Sequence, residues 1–336
     1  MKNVVSTLKE ILAVHSPTGY TIEVINYIES LFKGSKLHIT KTNKGALLVS
    51  LSENPELVVT GHIDTLGAMV KEVKGDGTLE ITELGSYPLN SFEGEYVTIR
   101  NSKGKLFRGT FLLNNPAAHV NRNVQSEKRE LDKMSVRIDA LVYSDEDVRK
   151  LGIEVGDFIF YDTRFETTDT GFVKSRFLDD KACAAVMIEL IKEYSKSGKV
   201  KNVGFYFSNY EEVGHGSSTG FPASVKELLV LDMAVVGNGC TGREDAVSIC
   251  VKDSSGPYDF TVNEKLRKLA EKNKINYVID IYPYYGSDGS AAVRSGYDVR
   301  VGLIGPGVSA SHGVERTHEK GLEATYKLTK AFIENF

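Results

Sequence analysis

Apolar positions in residues 4–14 recur at helical spacing and stop at the breaker Ser16-Pro17-Thr18-Gly19, so the chain opens on an amphipathic helix. Residues 21–32 repeat the pattern as a second helix. Residues 37–40 and 46–50 read as strands around the turn Asn43-Lys44-Gly45. The apolar run 57–60 is a short buried strand that delivers Gly61-His62-Ile63-Asp64. From about Lys71 the pattern changes to short strands separated by turns such as Gly75-Asp76-Gly77 and Asn101-Ser102-Lys103-Gly104. Strands are expected there at 95–99, 106–111, 136–141 and 156–160, with a small helix at 144–151. After Phe172 strands (203–207, 228–236, 277–280, 300–304) alternate with helices (179–195, 258–272, 318–335, and a helix start at 291–293). Such alternation predicts a mostly parallel sheet with functional groups at the C-terminal ends of its strands. The β-rich stretch, under ~100 residues, is then an insertion between two parts of an α/β domain.

Composition narrows the function classes. A formal charge of −4 with no Lys/Arg block argues against a general affinity for nucleic acid. No run approaches the ~18 consecutive apolar residues of a membrane span, and the N-terminus enters its helical pattern without an apolar signal core. Cys183, Cys240 and Cys250 form no close-spaced pattern, which fits a reducing compartment. The expectation is a soluble cytoplasmic protein with no membrane partner.

Chemistry concentrates at the predicted strand ends. Glu211 and Glu212 follow the apolar run 203–207, and adjacent side chains at a strand end point in different directions. One can ligate a metal while its neighbour faces a water as general base; taken alone, the pair also fits an ordinary acidic loop. His62 and Asp64 stand two apart, and a carboxylate there can fix the tautomer of a ligating imidazole. Asp179-Asp180-Lys181 opens a helix, where capping and ligation are compatible. Asp232 ends an apolar run and needs a partner if buried. His312 follows the Gly/Ser-rich loop expected at 305–311, where packing gives it no task. Together His62, Asp179, Glu212, Asp232 and His312 are five hard-to-borderline donors, suited to two Zn²⁺-like ions.

The order His-x-Asp, Asp-Asp-Lys-Ala, Glu-Glu-Val-Gly, apolar-Asp and a late loop His resembles the M42 family of co-catalytic metallo-aminopeptidases, which includes the tetrahedral and glutamyl aminopeptidases. The resemblance runs through the whole chain, and Leu151-Gly152-Ile153-Glu154-Val155-Gly156-Asp157 is similar to a family segment inside the insertion. It implies an α/β fold with a mixed, mostly parallel sheet and helices on both faces, as in zinc exopeptidases, plus an inserted small β-rich, PDZ-like domain. The expected division is 1–69 and 163–336 for the catalytic domain and 70–162 for the insertion. By position the resemblance makes Asp179 the bridging ligand, pairs His62 with Asp232 on one metal and Glu212 with His312 on the other, and gives Glu211 and Asp64 catalytic roles. Glu211 would activate a water shared by the two divalent ions, and Asp64 would orient His62. Zinc is expected first, with cobalt and manganese as alternatives. The implied activity is removal of N-terminal residues from peptides, by a homo-oligomer built from dimers, up to a dodecamer, through the inserted domain. The sequence departs from the common family pattern at Thr65-Leu66, at His215, at Tyr285-Gly286-Ser287-Asp288-Gly289 and at His312-Gly313-Val314-Glu315.

Two other functions compete. Paired carboxylates also serve glycoside hydrolases, which work without a metal, but that leaves the two histidines idle and the chain has no Trp for sugar stacking. A catalytically inactive, metal-stabilised assembly scaffold would have no need of a complete ligand set.

Overall fold

The computed structural model describes residues 2–336 and divides into two compact units, one of 1–65 with 164–336 and one of 66–163. The chain begins with helices α1 (Lys2–Leu12) and α2 (Ile22–Leu31) and strands β1 (His38–Lys41), β2 (Leu47–Ser50) and β3 (Leu57–His62). The second unit follows, with β4 (Gly67–Val73), β5 (Leu79–Leu84), β6 (Tyr96–Arg100), β7 (Leu106–Leu113), β8 (Met134–Ile138), α3 (Asp145–Leu151) and β9 (Phe158–Tyr161). The first unit resumes with β10 (Glu166–Thr167), β11 (Phe172–Ser175), α4 (Leu178–Ser197), β12 (Val203–Ser208), β13 (Glu227–Leu231), β14 (Ala234–Val236) and β15 (Val247–Asp253). It closes with β16 (Gly256–Pro257), α5 (Phe260–Lys272), β17 (Tyr277–Ile281), α6 (Asp288–Arg294), β18 (Arg300–Ser309), β19 (Glu315–His318) and α7 (Glu319–Glu334).

The first unit is α/β with a mixed sheet in the order β1-β2-β12-β3-β13-β18-β19-β11-β10. Its centre is parallel, through β12–β3, β3–β13 and β13–β18, and its margins are antiparallel. Parallel pairs recur at β14–β18 and β15–β17, but β15 joins β18 antiparallel, so the sheet is mixed rather than mostly parallel. The parallel strands are buried on both faces, which explains why they read as unbroken apolar runs. Helix α4 is buried over most of its length by small and apolar side chains such as Ala182, Cys183, Ala184 and Ala185, which let it lie close to its neighbours.

Two sequence expectations change. The apolar run 228–236 is broken into β13 and β14, because the facing stretch of β18 carries Pro306, which has no N–H to donate to a ladder. The Gly/Ser-rich stretch expected as a loop from 305 stays in β18 as far as Ser309, since β15 pairs with Gly305 and Pro306 and β14 with Gly307–Ser309.

The second unit closes as a six-stranded barrel, β4-β5-β8-β7-β6-β9. Closure leaves no free sheet edge. Alternate residues of its strands, among them Val97 and Ile99, fill the interior, where Tyr87, Phe92 and Tyr161 pack as an aromatic cluster.

Candidate metal centre

Four adjacent strands, β12, β3, β13 and β18, each end at or within four residues of a side chain the sequence singles out. Strand β3 ends at His62, paired in register with Ser208 at the end of β12. Past Ser208 the chain turns through Tyr210 at φ 63° into a single 3₁₀ turn, Glu211–Val213, which displays the two glutamates. Asp232 follows the last residue of β13, and His312, at φ 61°, sits in the turn between β18 and β19. Asp179 approaches from the first turn of α4, where Asp179 and Asp180 depart from helical geometry.

The side chains converge. His62 Nε2 lies 3.0 Å from Asp179 Oδ1, and His312 Nε2 lies 3.4 Å from Asp179 Oδ2 and 3.6 Å from Glu212 Oε2. Glu211 Oε2 is 3.9 Å from His62 Nε2. Two triads bring donor atoms within 4.8 Å of one another, His62 with Asp179 and Glu212, and His62 with Asp180 and Asp232. Asp180, named in the Asp-Asp-Lys block but not among the five expected ligands, is thus part of the cluster.

Asp64 acts differently from the expected carboxylate–imidazole pair. Its backbone carbonyl accepts from His62 Nδ1 at 2.9 Å, while its carboxylate stands 3.7 Å away. The carbonyl fixes the tautomer that leaves Nε2 with a lone pair for the centre. The carboxylate accepts from the amides of Glu211 and Glu212 at 3.2 and 3.4 Å, and from the Thr18 hydroxyl at 2.6 Å. Asp64 therefore ties the loop at Thr18 to the turn that carries both glutamates.

Electrostatics of the donor set indicate what it lacks. Burial, reinforced by neighbouring carboxylates, pushes Glu211 and Glu212 well above the usual glutamate range and Asp232 up to about 8. Burial works against charge on Asp179 too, but hydrogen bonds from His312 and His62 hold it below the usual carboxylate range. His62 is raised: burial opposes its charge, and the Asp179 hydrogen bond and the surrounding carboxylates outweigh burial. Both oxygens of Asp180 and Oε1 of Glu212 are buried without a hydrogen-bond partner of ordinary geometry, Asp180 having only the weakly donating Cys183 thiol beside it. Carboxylates crowded and desolvated in this way must hold either protons or a cation, and a cation would satisfy the unpartnered oxygens of Asp180 and Glu212. The nitrogen and oxygen donors suit a borderline divalent ion such as zinc.

The sequence from residue 45 to 328 matches the pattern of the M42 glutamyl aminopeptidases. The chain belongs to that family. Along its whole length it is 44% identical to "Putative aminopeptidase YhfE" of Bacillus subtilis (strain 168), covering 98% of that protein. The fold is similar to that of aminopeptidase APDkam598 from the archaeon Desulfurococcus kamchatkensis, with TM-score 0.87, 22% identity, and coverage of 100% of this chain and 95% of that one. It is equally similar to the Pyrococcus horikoshii TET1 peptidase, with TM-score 0.88, 22% identity, and coverage of 98% and 99%. This M42 protein is a metal-dependent aminopeptidase, a hydrolase of peptide bonds.

Around the aminopeptidase centre lie residues that sequence reasoning gave no task. Lys181, wholly buried, turns away from the carboxylates and donates to the carbonyls of Ile11 and Val14 at 3.0 and 2.7 Å, securing the end of α1. Burial lowers its pKa to about 7. Asp288 accepts from Ser208, from the Ser217 amide and from Thr60, locking the ends of β12 and β3 to α6. Tyr210 and His215 stack with centroids 5.1 Å apart beside the glutamate turn. A charged or polar side chain within an apolar run is the only local signal such residues give; their partners lie far away in the sequence.

Proposed function

We propose that this aminopeptidase works at a two-ion centre, with His62 and Asp232 serving one ion, Glu212 and His312 the other, and Asp179 both. The observation that carries this reading is the splay of Asp179, which turns one oxygen toward each histidine, at 3.0 Å for His62 and 3.4 Å for His312. Zinc suits the donors, with cobalt and manganese as alternatives of similar preference. When bound, two such ions acidify a water and polarise the scissile carbonyl. Glu211 takes the proton of that water: it stands at the margin of the cluster and keeps 16% of its side chain exposed, whereas Glu212 keeps 3%. Burial raises its proton affinity toward the range of a working general base. The water oxygen forms its bond to the scissile carbonyl carbon, and protonated Glu211 returns the proton to the leaving amine as the C–N bond breaks. Asp64 keeps Glu211 and Glu212 in place through their amides. A glycosidase built on the same carboxylates would leave His62 and His312, both aimed at Asp179, without a task.

The insertion is assigned to assembly. None of the seven residues given chemical roles falls within 66–163, and Tyr96, Leu106, Leu141, Tyr143 and Val155 are exposed there. The TET1 peptidase of Pyrococcus horikoshii can assemble into a tetrahedron or a large octahedral shell, which supports a homo-oligomer here as well. Three free cysteines support a cytoplasmic location, and among the described residues no helix is long and apolar enough to cross a membrane.

The test is Glu211→Gln, which removes the proton acceptor while leaving the five donors. Turnover of aminoacyl chromogenic substrates is expected to fall by ~10²–10⁴ with metal content unchanged. Near-full activity with metal bound would show that another group is the base.

A further inference from the structure

We propose that Glu315 is a positioning residue of the metal centre, a single carboxylate that fixes the backbone at both Asp179 and His312 so that their side chains meet. The proposal rests on the reading of those two residues as ligands and extends it to a residue outside the donor set.

Glu315 opens β19 and is 1% exposed. Its Oε2 accepts the amide of Asp179 at 3.1 Å, and its Oε1 accepts the amide of His312 at 3.0 Å. The two oxygens are thus divided between two distant segments, each accepting one backbone amide. Both segments hold backbone conformations that their local structure does not supply. Asp179 lies within α4 at φ −74°, ψ 105°, outside the helical region. His312 is left-handed at φ 61°, a strained conformation for a residue other than glycine that persists only where the surroundings impose it.

The consequence is the contact between the two side chains, Asp179 Oδ2 and His312 Nε2 at 3.4 Å. Packing gives no reason for an ionisable group at position 315. The charges facing it are those of Asp179, a like charge, and His312, so an apolar residue would fill the space at lower electrostatic cost. Two amide donors that only a carboxylate can accept together do give a reason. Glutamine would keep one acceptor and set its own N–H₂ against the other amide.

The experiment titrates the metal-stripped, full-length protein with Co²⁺ against a competing chelator, reading both the binding constant and the visible absorption of the bound ion. Glu315→Gln is expected to bind cobalt ~10–100-fold more weakly and with an altered band shape. Arg316→Ala breaks the ion pair with Glu244 one residue further along the same strand, and should bind within about twofold of wild type because it touches no outer partner of the centre. Glu315→Gln with wild-type affinity and spectrum would overturn the proposal, even if its unfolding midpoint falls, since that is the result of a merely structural residue. Should this variant fail to fold, Glu315→Asp carries the test. It keeps the charge but is one methylene too short to span both amides, so normal cobalt binding by it would equally overturn the proposal. A wild-type protein that binds no cobalt would instead overturn the ligand reading beneath it.

Discussion

Burial, with the neighbouring Asp179 carboxylate, pushes Asp232 up to about 8, and the same two causes raise Glu212. Their folded values thus stand above the ordinary carboxylate values, so between about pH 4 and 8 the folded donor set retains protons that the unfolded chain has released. For the metal-stripped protein this stabilisation is complete below that window and is lost as pH rises through it. Metal ligation has the opposite dependence, because the ion must displace those protons. Lys181, lowered to about 7, is not a ligand and acts alike in both forms. The thermal midpoint gained on adding zinc, relative to protein kept in chelator, should therefore widen from pH 6 to pH 8. Differential scanning fluorimetry at fixed free metal measures this, and a gain independent of pH would contradict the protonation states described for Asp232 and its neighbours. At this scale the sequence was informative where a residue announces itself. His62, Asp179, Glu212, Asp232 and His312 each stand at an element's end with no packing task. Thr18, Asp180 and Glu315 carry no role in that reading because hydroxyls and acids beside turns are common, and their contacts with Asp64, Cys183, Asp179 and His312 come from distant segments or from the fold of α4.

The strands and α4 meet closely beneath the donors, and Gly61 marks the place. A Cβ there would lie 2.9 Å from Asp180 Oδ2, 3.1 Å from the Leu231 carbonyl of β13 and 3.1 Å from Met187 Sδ of α4. Relief would require moving β3 away from a neighbouring backbone and from Asp180. Gly61→Ala is expected to cost ~1–3 kcal/mol by urea denaturation of the stripped protein, the usual penalty for overpacking, and to weaken metal retention with it. An unchanged midpoint would mean that β3 and α4 separate more easily than this packing implies. The alternation of apolar runs and helical periods made most of these elements legible, including the parallel centre that aligns the strand ends. It misjudged β14 and the length of β18, where Pro306 and its flanking glycines read locally as a loop although β14 and β15 pair with that stretch from either side. The function of Asp64 was half legible: the His-x-Asp spacing points to a partner for His62, but the amides its carboxylate accepts belong to a turn supplied by another strand.

In the whole molecule, the proposed donors all lie in the unit of 164–336 with the N-terminal segment, and none in 66–163. A charge placed on the exposed apolar residues of the barrel, as in Leu141→Glu with Tyr143→Glu, should lower the mass seen by light scattering while hydrolysis of small aminoacyl substrates persists. The two side chains are 88% and 77% exposed, so the substitutions leave the barrel interior intact. Wild-type protein that is monomeric with metal supplied would remove the assembly role and leave the peptidase untouched. If one carboxylate serves two ions, its loss must show in the metal content per folded chain, which elemental analysis of wild type beside Asp179→Ala measures. Wild type is predicted to retain two equivalents per chain after gel filtration, and Asp179→Ala to retain neither ion at full occupancy, because both lose the same ligand. Two tightly held equivalents in Asp179→Ala would contradict the account.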